Sequence, residues 1–122
     1  MDMFENFEKI VYDNNLDMFK EEVEKLSDIN IQNKYGWTLL HIAIRRDRRD
    51  MVNFLLDNNA DINKIDGVGW TPLMEAIMDD MQELVSVLVD RGADKSIENA
   101  RGATAPMLAQ KFGRVSMYDT LN

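Results

Sequence analysis

The sequence contains no cysteine, and histidine occurs only once among its 122 residues. The missing cysteine excludes disulfides, thiol nucleophiles and cysteine-ligated metals. A single histidine provides no His pair for zinc, the four serines lie outside any nucleophile motif, and no glycine-rich phosphate loop is present. Because catalysis needs a placed acid, base, nucleophile or metal, we expect no enzyme activity, catalytic residue, cofactor or metal site.

Long apolar runs are also missing from the chain. No run approaches the roughly 18 residues that suggest a membrane span. The N-terminal string MDMFENFEKIVYDNN lacks the basic start and continuous apolar stretch of a signal peptide. For a chain numbered from its own start, we expect a cytoplasmic protein that does not bind membranes.

Basic residues are in deficit, with 14 Lys and Arg against 22 Asp and Glu, which gives a formal net charge of -8. A strongly acidic protein repels nucleic acid and attracts basic partners, although negative charge can equally serve only solubility. The basic run RRDRR at 45–49 is interrupted by Asp47 and followed by Asp50. We therefore predict no nucleic-acid partner, and a protein partner that is basic.

The chain is instead rich in repetition at a spacing of 33 residues. The repeated strings are GWTLLHIA, GWTPLMEA and GATAPMLA, the first two followed by MVNFLLDNNADIN and LVSVLVDRGADKS. An internal repeat of this length is typical of stacked helix pairs. The positions that recur at this spacing are Gly36, Gly69 and Gly102; Trp37 and Trp70; Thr38, Thr71 and Thr104; and Ala43, Ala76 and Ala109.

These strings resemble the ankyrin repeat, whose signature is G-x-T-P-L-H-x-A followed by L-L-x-x-G-A-D-x-N. The resemblance covers essentially the whole chain, although the first and last units match only in part, as capping repeats do. It implies an all-α fold, an ankyrin-repeat solenoid of helix–turn–helix pairs joined by extended β-turn loops. The expected organisation is one domain, 1–122, with units at about 1–30, 31–63, 64–96 and 97–122.

Local chemistry supports this arrangement. Each Thr of the motif precedes a helical stretch and can act as its N-cap. Pro72 follows Thr71 at the first helical position, where proline is tolerated. Asn59 and Gly92 are suited to left-handed helix ends. The resemblance also implies that His41 is a structural residue bonded to neighbouring turns. The predicted helices are 3–13, 16–26, 39–46, 49–58, 72–79, 81–90, 105–112 and 114–121, the last of them short or frayed.

The resemblance further implies where a partner binds, since partners of ankyrin repeats usually contact the turn tips and the exposed side of each first helix. The residues so placed are rich in Trp, Tyr, Arg and Met, which are typical of interface hot spots. The two tryptophans can alternatively pack against the adjacent turn. The predicted contact residues are Lys34, Tyr35, Trp37, Arg45, Arg46, Asp66, Val68, Trp70, Met78, Asp79, Arg101, Lys111 and Phe112.

The predicted function is a non-catalytic intracellular protein–protein interaction module, monomeric when free. Among specific versions the short acidic chain favours an inhibitor or immunity-type protein that blocks a basic toxin or enzyme. The alternative is a structural scaffold or an assembly subunit held permanently in a larger complex.

Overall fold

The computed structural model describes residues 2–122, so that Met1, with which the predicted first unit begins, lies outside the described residues. The described chain forms four helix pairs in succession, each with a first and a second helix. The first helices are α1 (Met3–Tyr12), α3 (Leu39–Arg45), α5 (Pro72–Met78) and α7 (Ala105–Lys111). The second helices are α2 (Leu16–Glu24), α4 (Arg49–Asp57), α6 (Gln82–Asp90) and α8 (Tyr118–Leu121), with a 3₁₀ turn at Val115–Met117 before α8.

The starts of the first helices follow from their threonine caps, with one exception. The Thr38 and Thr71 hydroxyls are buried and each accepts a hydrogen bond from the third backbone N–H of its helix, as predicted. Within residues 2–122 the Thr104 side chain makes no such bond, so the prediction for this residue is wrong. Thr104 is partly exposed, and water therefore competes for its hydroxyl group.

A left-handed residue separates the two helices of every pair. Asn14, Asp47, Asp80 and Gly113 have φ between 54° and 69°, and they recur every 33 residues. The second helices α4 and α6 end at further left-handed residues, Asn59 and Gly92, which confirms that prediction. These short connections hold each pair antiparallel.

The pairs stack so that first helices pack on first helices, α1 on α3, α3 on α5 and α5 on α7. Ala43 and Ala76 are fully buried, and their small side chains allow this close approach. The core lies between the first and second helices of each pair. Its largest fully buried side chains include Phe7, Phe19, Leu39, Ile44, Met51, Leu55, Leu73, Ile77, Leu84 and Leu88.

Hydrogen bonds between successive loops fix the stacking register. The Asn30 side chain accepts from the backbone N–H of Asp61 at 2.8 Å, and one unit later Asn63 accepts from Asp94 at 2.9 Å. The Gly67 N–H donates to the carbonyl oxygen of Tyr35 at 2.9 Å. Each loop is thereby tied to the next, and the turn tips have defined positions.

The predicted helix boundaries agree with the structure to within two residues except at the C-terminal end. The helix predicted over 114–121 is a 3₁₀ turn followed by the four-residue helix α8. Most helical stability in proteins comes from packing. In the described chain α8 packs against α6 and α7, and its shortness agrees with the predicted short or frayed last helix.

Candidate partner-binding groove

One face of the stack combines the exposed sides of the first helices with the three turn tips, around 33–37, 66–70 and 99–103. We call this surface the groove. Two hollows on this surface are bordered by nine of the thirteen predicted contact residues, and we call them the central cavity and the C-terminal cavity. The central cavity is lined by Glu8, Val11, Trp37, Ile42, Arg45, Arg46 and Asp79. The C-terminal cavity is lined by Val68, Trp70, Asn99, Ala100, Arg101, Ala103, Met107, Leu108, Lys111 and Phe112.

The central cavity has a volume of about 350 Å³ and is bordered by side chains from α1 and α3 and by Asp79, which directly follows α5. Its floor contains the buried side chains of Val11 and Ile42, whereas its rim is charged. At this rim the guanidinium carbon of Arg45 lies 4.1 Å from the centroid of the Trp37 ring. A guanidinium stacked on an aromatic face is held in place while its N–H groups remain available to a partner.

The first turn tip adds a second aromatic ring to this rim. The Tyr35 ring centroid lies 5.2 Å from that of Trp37, and the Lys34 ammonium lies 5.1 Å from the Tyr35 centroid. Arg46 stacks in the same way over Tyr12 of α1, at 4.9 Å. Four of the predicted contact residues, Trp37, Arg45, Arg46 and Asp79, therefore border this cavity, and two more, Tyr35 and Lys34, lie beside Trp37.

A partly buried carboxyl group, that of Glu75, lies beside the central cavity and was missed by the sequence analysis. In the 33-residue register Glu75 corresponds to Ile42 and Leu108, each of which is only 5% exposed. The sequence register therefore contained the signal, since it aligns an acid with two apolar residues. Burial, reinforced by the neighbouring Asp79 carboxyl group, raises the pKa of Glu75 to about 8.

Asp79 follows Glu75 by one helical turn, so the two carboxyl groups lie on the same side of the helix. The Asp79 Oδ2 atom is buried and has no hydrogen-bond partner among residues 2–122. Neither acid takes part in any of the six ion pairs found in that part of the chain. The middle of the groove therefore holds acidic groups whose pairing with cations is incomplete.

Asp66, by contrast, is engaged within its own turn. It is only 9% exposed, and its Oδ1 atom accepts from the backbone N–H groups of Val68 and Trp70 at 3.0 and 2.9 Å. Asn33 and Asn99 hold the other two tips in the same way. Asp66 thus shapes the tip and adds negative charge near Glu75, but offers little surface to a partner.

The C-terminal cavity is larger, at about 530 Å³, and mostly apolar. It brings together five of the predicted contact residues, namely Val68, Trp70, Arg101, Lys111 and Phe112. Met107 is a further lining residue that the prediction omitted; it occupies the histidine position of the motif and is 54% exposed.

The two tryptophans pack against the core, and their contact with a partner stays a prediction. Trp37 and Trp70 are partly buried and pack against the core, and each also borders a cavity, the central one and the C-terminal one respectively. Met78, another predicted contact residue, is partly buried and packs against the core.

His41 is fully buried and bridges two units. Its Nδ1 atom lies 2.8 Å from the Thr38 hydroxyl oxygen and its Nε2 atom 3.0 Å from the Trp70 carbonyl oxygen. Because a carbonyl oxygen only accepts, Nε2 carries the proton and donates it to Trp70. Burial lowers the pKa of His41, which favours the neutral ring. These bonds confirm the predicted structural role.

Residues 8–99 match the family model for ankyrin repeats in three copies. The chain belongs to the ankyrin-repeat family. Ankyrin repeats generally serve as non-catalytic modules that bind other proteins, and this chain is accordingly a protein–protein interaction module. No curated protein matches the chain. The matched stretch contains the second half of α1 and all of α2 to α6, whereas α7 and α8 lie beyond it.

Two kinds of feature, a membrane-spanning helix and a metal-binding cluster, were sought among the described residues of this ankyrin-repeat protein. Among residues 2–122, no helix is long and apolar enough to cross a membrane. The same residues contain no group of three or more His, Asp or Glu side chains arranged to hold a metal ion.

Proposed function

We propose that this ankyrin-repeat protein is a non-catalytic module of the cytoplasm that binds a segment of one partner protein along the groove. The proposed contacts are the thirteen predicted residues, with Glu75 added and Asp66 acting mainly through the shape of its turn. The module is monomeric when free, and the partner segment presents at least one basic side chain to the centre of the groove.

The observation that carries this proposal is the carboxyl pair of Glu75 and Asp79. A carboxyl group at a position otherwise occupied by buried apolar residues reduces stability unless it is paired. A Lys or Arg side chain from a partner would supply the missing positive charge and favour the ionised form of Glu75. The loss of stability that the Glu75 carboxyl group causes in the free protein is consistent with a residue retained for binding.

An inhibitor or immunity-type role follows as the specific version of this proposal. A small acidic protein is attracted at long range to a basic toxin or enzyme, which accelerates association. The groove also has two neighbouring acids, Glu75 and Asp79, at its centre, and Arg45 stacked on Trp37 at its rim. This combination suits a partner that presents both basic and acidic side chains.

A scaffold or assembly role remains the alternative, and the exposed apolar side chains of the C-terminal cavity favour it. Permanent interfaces are more apolar than reversible ones. A permanent complex would not exchange with added free protein, whereas an inhibitor complex would dissociate and re-form. Exchange of labelled module into the isolated complex separates these roles, and light scattering of the free module tests whether it is monomeric.

Quantitative affinity capture from the native cytosol tests the groove. Three baits are compared: the wild type, the groove variant Glu75→Gln/Asp79→Asn, and the control Glu21→Gln/Glu24→Gln. The control replaces the same number of acids at exposed positions on α2. We expect one basic protein to be recovered in equal amount with the wild type and the control, and at least about tenfold less with the groove variant. Equal recovery with all three baits would overturn the proposal.

A further inference from the structure

The C-terminal cavity differs from the rest of the groove in charge. The segment 99–122 carries three basic residues and one acidic residue in a chain whose net charge is -8. Arg101 lines the cavity from the third turn tip, and Lys111 lines it from the end of α7. Neither cation belongs to any of the six ion pairs among residues 2–122. Two cations without carboxylate partners therefore border one cavity.

Between these cations the cavity is apolar. Val68 is 59% exposed, Met107 54% and Phe112 43%, although such side chains are usually buried. Trp70 and Leu108 complete the apolar lining. A volume of about 530 Å³ is in the range of small-molecule pockets and is large enough for an aromatic side chain with its flanking backbone.

The lining thus combines an apolar centre with positive charge at its border. An apolar side chain gains most when it is removed from water, whereas the two cations gain from carboxylates that remain near the surface. A basic segment would place like charges beside Arg101 and Lys111, which disfavours it.

We propose that the C-terminal cavity binds an aromatic or large aliphatic side chain of the partner segment that is flanked by Asp or Glu. This inference rests on the proposed function, because it specifies a second part of the same bound segment. The partner segment is consequently bipolar: a basic side chain lies at Glu75 and Asp79, and an acidic aromatic stretch lies at the C-terminal cavity.

The test uses acetylated and amidated peptides and needs no natural partner. The isotopically labelled protein is titrated with GSDFDSG, GSNFNSG, GSKFKSG and GSDADSG at about 150 mM salt, while its backbone amide resonances are recorded. We expect GSDFDSG to shift the resonances of residues 100–103 and 107–112. Its dissociation constant should be about fivefold lower than that of GSNFNSG, and the gap to GSKFKSG and GSDADSG should be larger.

Two variants locate the effect. The variant Arg101→Gln/Lys111→Gln should bind GSDFDSG and GSNFNSG with equal affinity. The control Lys9→Gln/Lys25→Gln makes the same change in charge on exposed residues of the first unit, and it should retain the fivefold preference. Equal binding of all charge types would reduce the cavity to an apolar contact and overturn the proposal. Absence of shifts at the cavity would overturn it as well.

The outcome is separate from that of the capture experiment. Failure of the peptides would leave the result of the Glu75 and Asp79 variants unaffected. Equal capture by all baits would contradict the binding of a basic side chain at Glu75 and Asp79. The peptide titration would still test whether the C-terminal cavity binds an acidic aromatic stretch.

Discussion

The imidazole Nε2 of His41 donates a hydrogen bond to the carbonyl oxygen of Trp70 across 3.0 Å, from the first turn of α3 to the turn tip of the next unit. Its Nδ1 accepts from the backbone N–H of Thr38 at 3.2 Å and lies 2.8 Å from the Thr38 hydroxyl oxygen. One side chain therefore caps its own helix and positions Trp70 at the C-terminal cavity.

The variant His41→Met should lose about 1–3 kcal/mol of unfolding free energy, because it leaves buried polar groups unpaired. Met74 occupies the corresponding site of the third unit, which shows that methionine fits this position. Burial lowers the His41 pKa below its ordinary value of 6.5, so the folded state binds fewer protons than the unfolded state below that pH. The part of stability owed to His41 should decrease as pH falls through this range.

Urea unfolding of wild type and variant at pH about 7.5 and about 5.5 measures this contribution. The stability difference between the two proteins should shrink at the lower pH. A difference that is the same at both values would show that His41 is not held in its neutral form.

Gly36→Ala and Gly102→Ala form a matched pair that separates backbone strain from steric clash. Both glycines have a left-handed φ, +80° and +79°, so each substitution carries a similar conformational penalty of about 1–2 kcal/mol. A Cβ at Gly36 would also approach the Gly67 backbone nitrogen, whereas a Cβ at Gly102 meets no atom within 4 Å. Gly36→Ala should therefore lower the unfolding free energy by at least about 2 kcal/mol more than Gly102→Ala does.

Thermal and urea unfolding of both variants tests this pair. Equal destabilisation of the two variants would mean that the tip at Gly36 can move away from the next unit. The hydrogen bond from the Gly67 N–H to the Tyr35 carbonyl oxygen opposes this movement.

Replacement of Glu75 by leucine should stabilise the protein and impair partner binding. The pKa of Glu75 is raised to about 8 from an ordinary value of 4.5, so the folded state binds more protons than the unfolded state between these values. Wild-type stability should therefore decrease, through this group, as pH rises from about 4.5 to about 8. After allowance for partial exposure, we expect Glu75→Leu to gain about 1–3 kcal/mol at pH about 9 and less at pH about 5.

Unfolding of Glu75→Leu at these two pH values is compared with that of Glu24→Leu, which removes an exposed acid from α2. The control should show no comparable gain that grows with pH. A stabilisation of Glu75→Leu that is equal at both pH values would contradict the raised pKa.

Met81→Arg should extend an existing set of bonds between units. Arg48 donates to the carbonyl oxygens of Val11 and Tyr12, and 66 residues later Arg114 donates to those of Ile77 and Met78. Met81 is the equivalent position between them, next to the C-terminal end of α3. An arginine there should gain about 0.5–1.5 kcal/mol through bonds to the carbonyls of that helix end.

The matched control is Met81→Gln, which has a polar side chain but no charge. Urea unfolding should rank Met81→Arg above both the wild type and Met81→Gln. Lower stability of Met81→Arg would show that the half-buried Met81 side chain contributes more by packing than the new bonds contribute.

The fold could be predicted from the 33-residue repeat, through its resemblance to the ankyrin repeat and through residue types that favour particular local conformations. Glycine at 36, a capping threonine at 38 and the left-handed residues at 59 and 92 specify where helices begin and end. Helix limits could therefore be predicted to within one or two residues. The missing cap at Thr104 could not, since it depends on solvent access; the shortness of α8 was predicted, but the 3₁₀ turn before it was not.

The sequence also named most of the residues that border the two cavities, because the turn tips and first helices have fixed places in the repeat. The surroundings of these residues follow only from the packed units: Arg45 stacks on Trp37, Asp66 is used by its own turn, and Glu75 lies partly buried beside Asp79. Burial and electrostatic environment arise from side chains brought together by stacking several units. The repeat pattern specifies the backbone, and the packed units set the charge, exposure and pairing on which recognition depends.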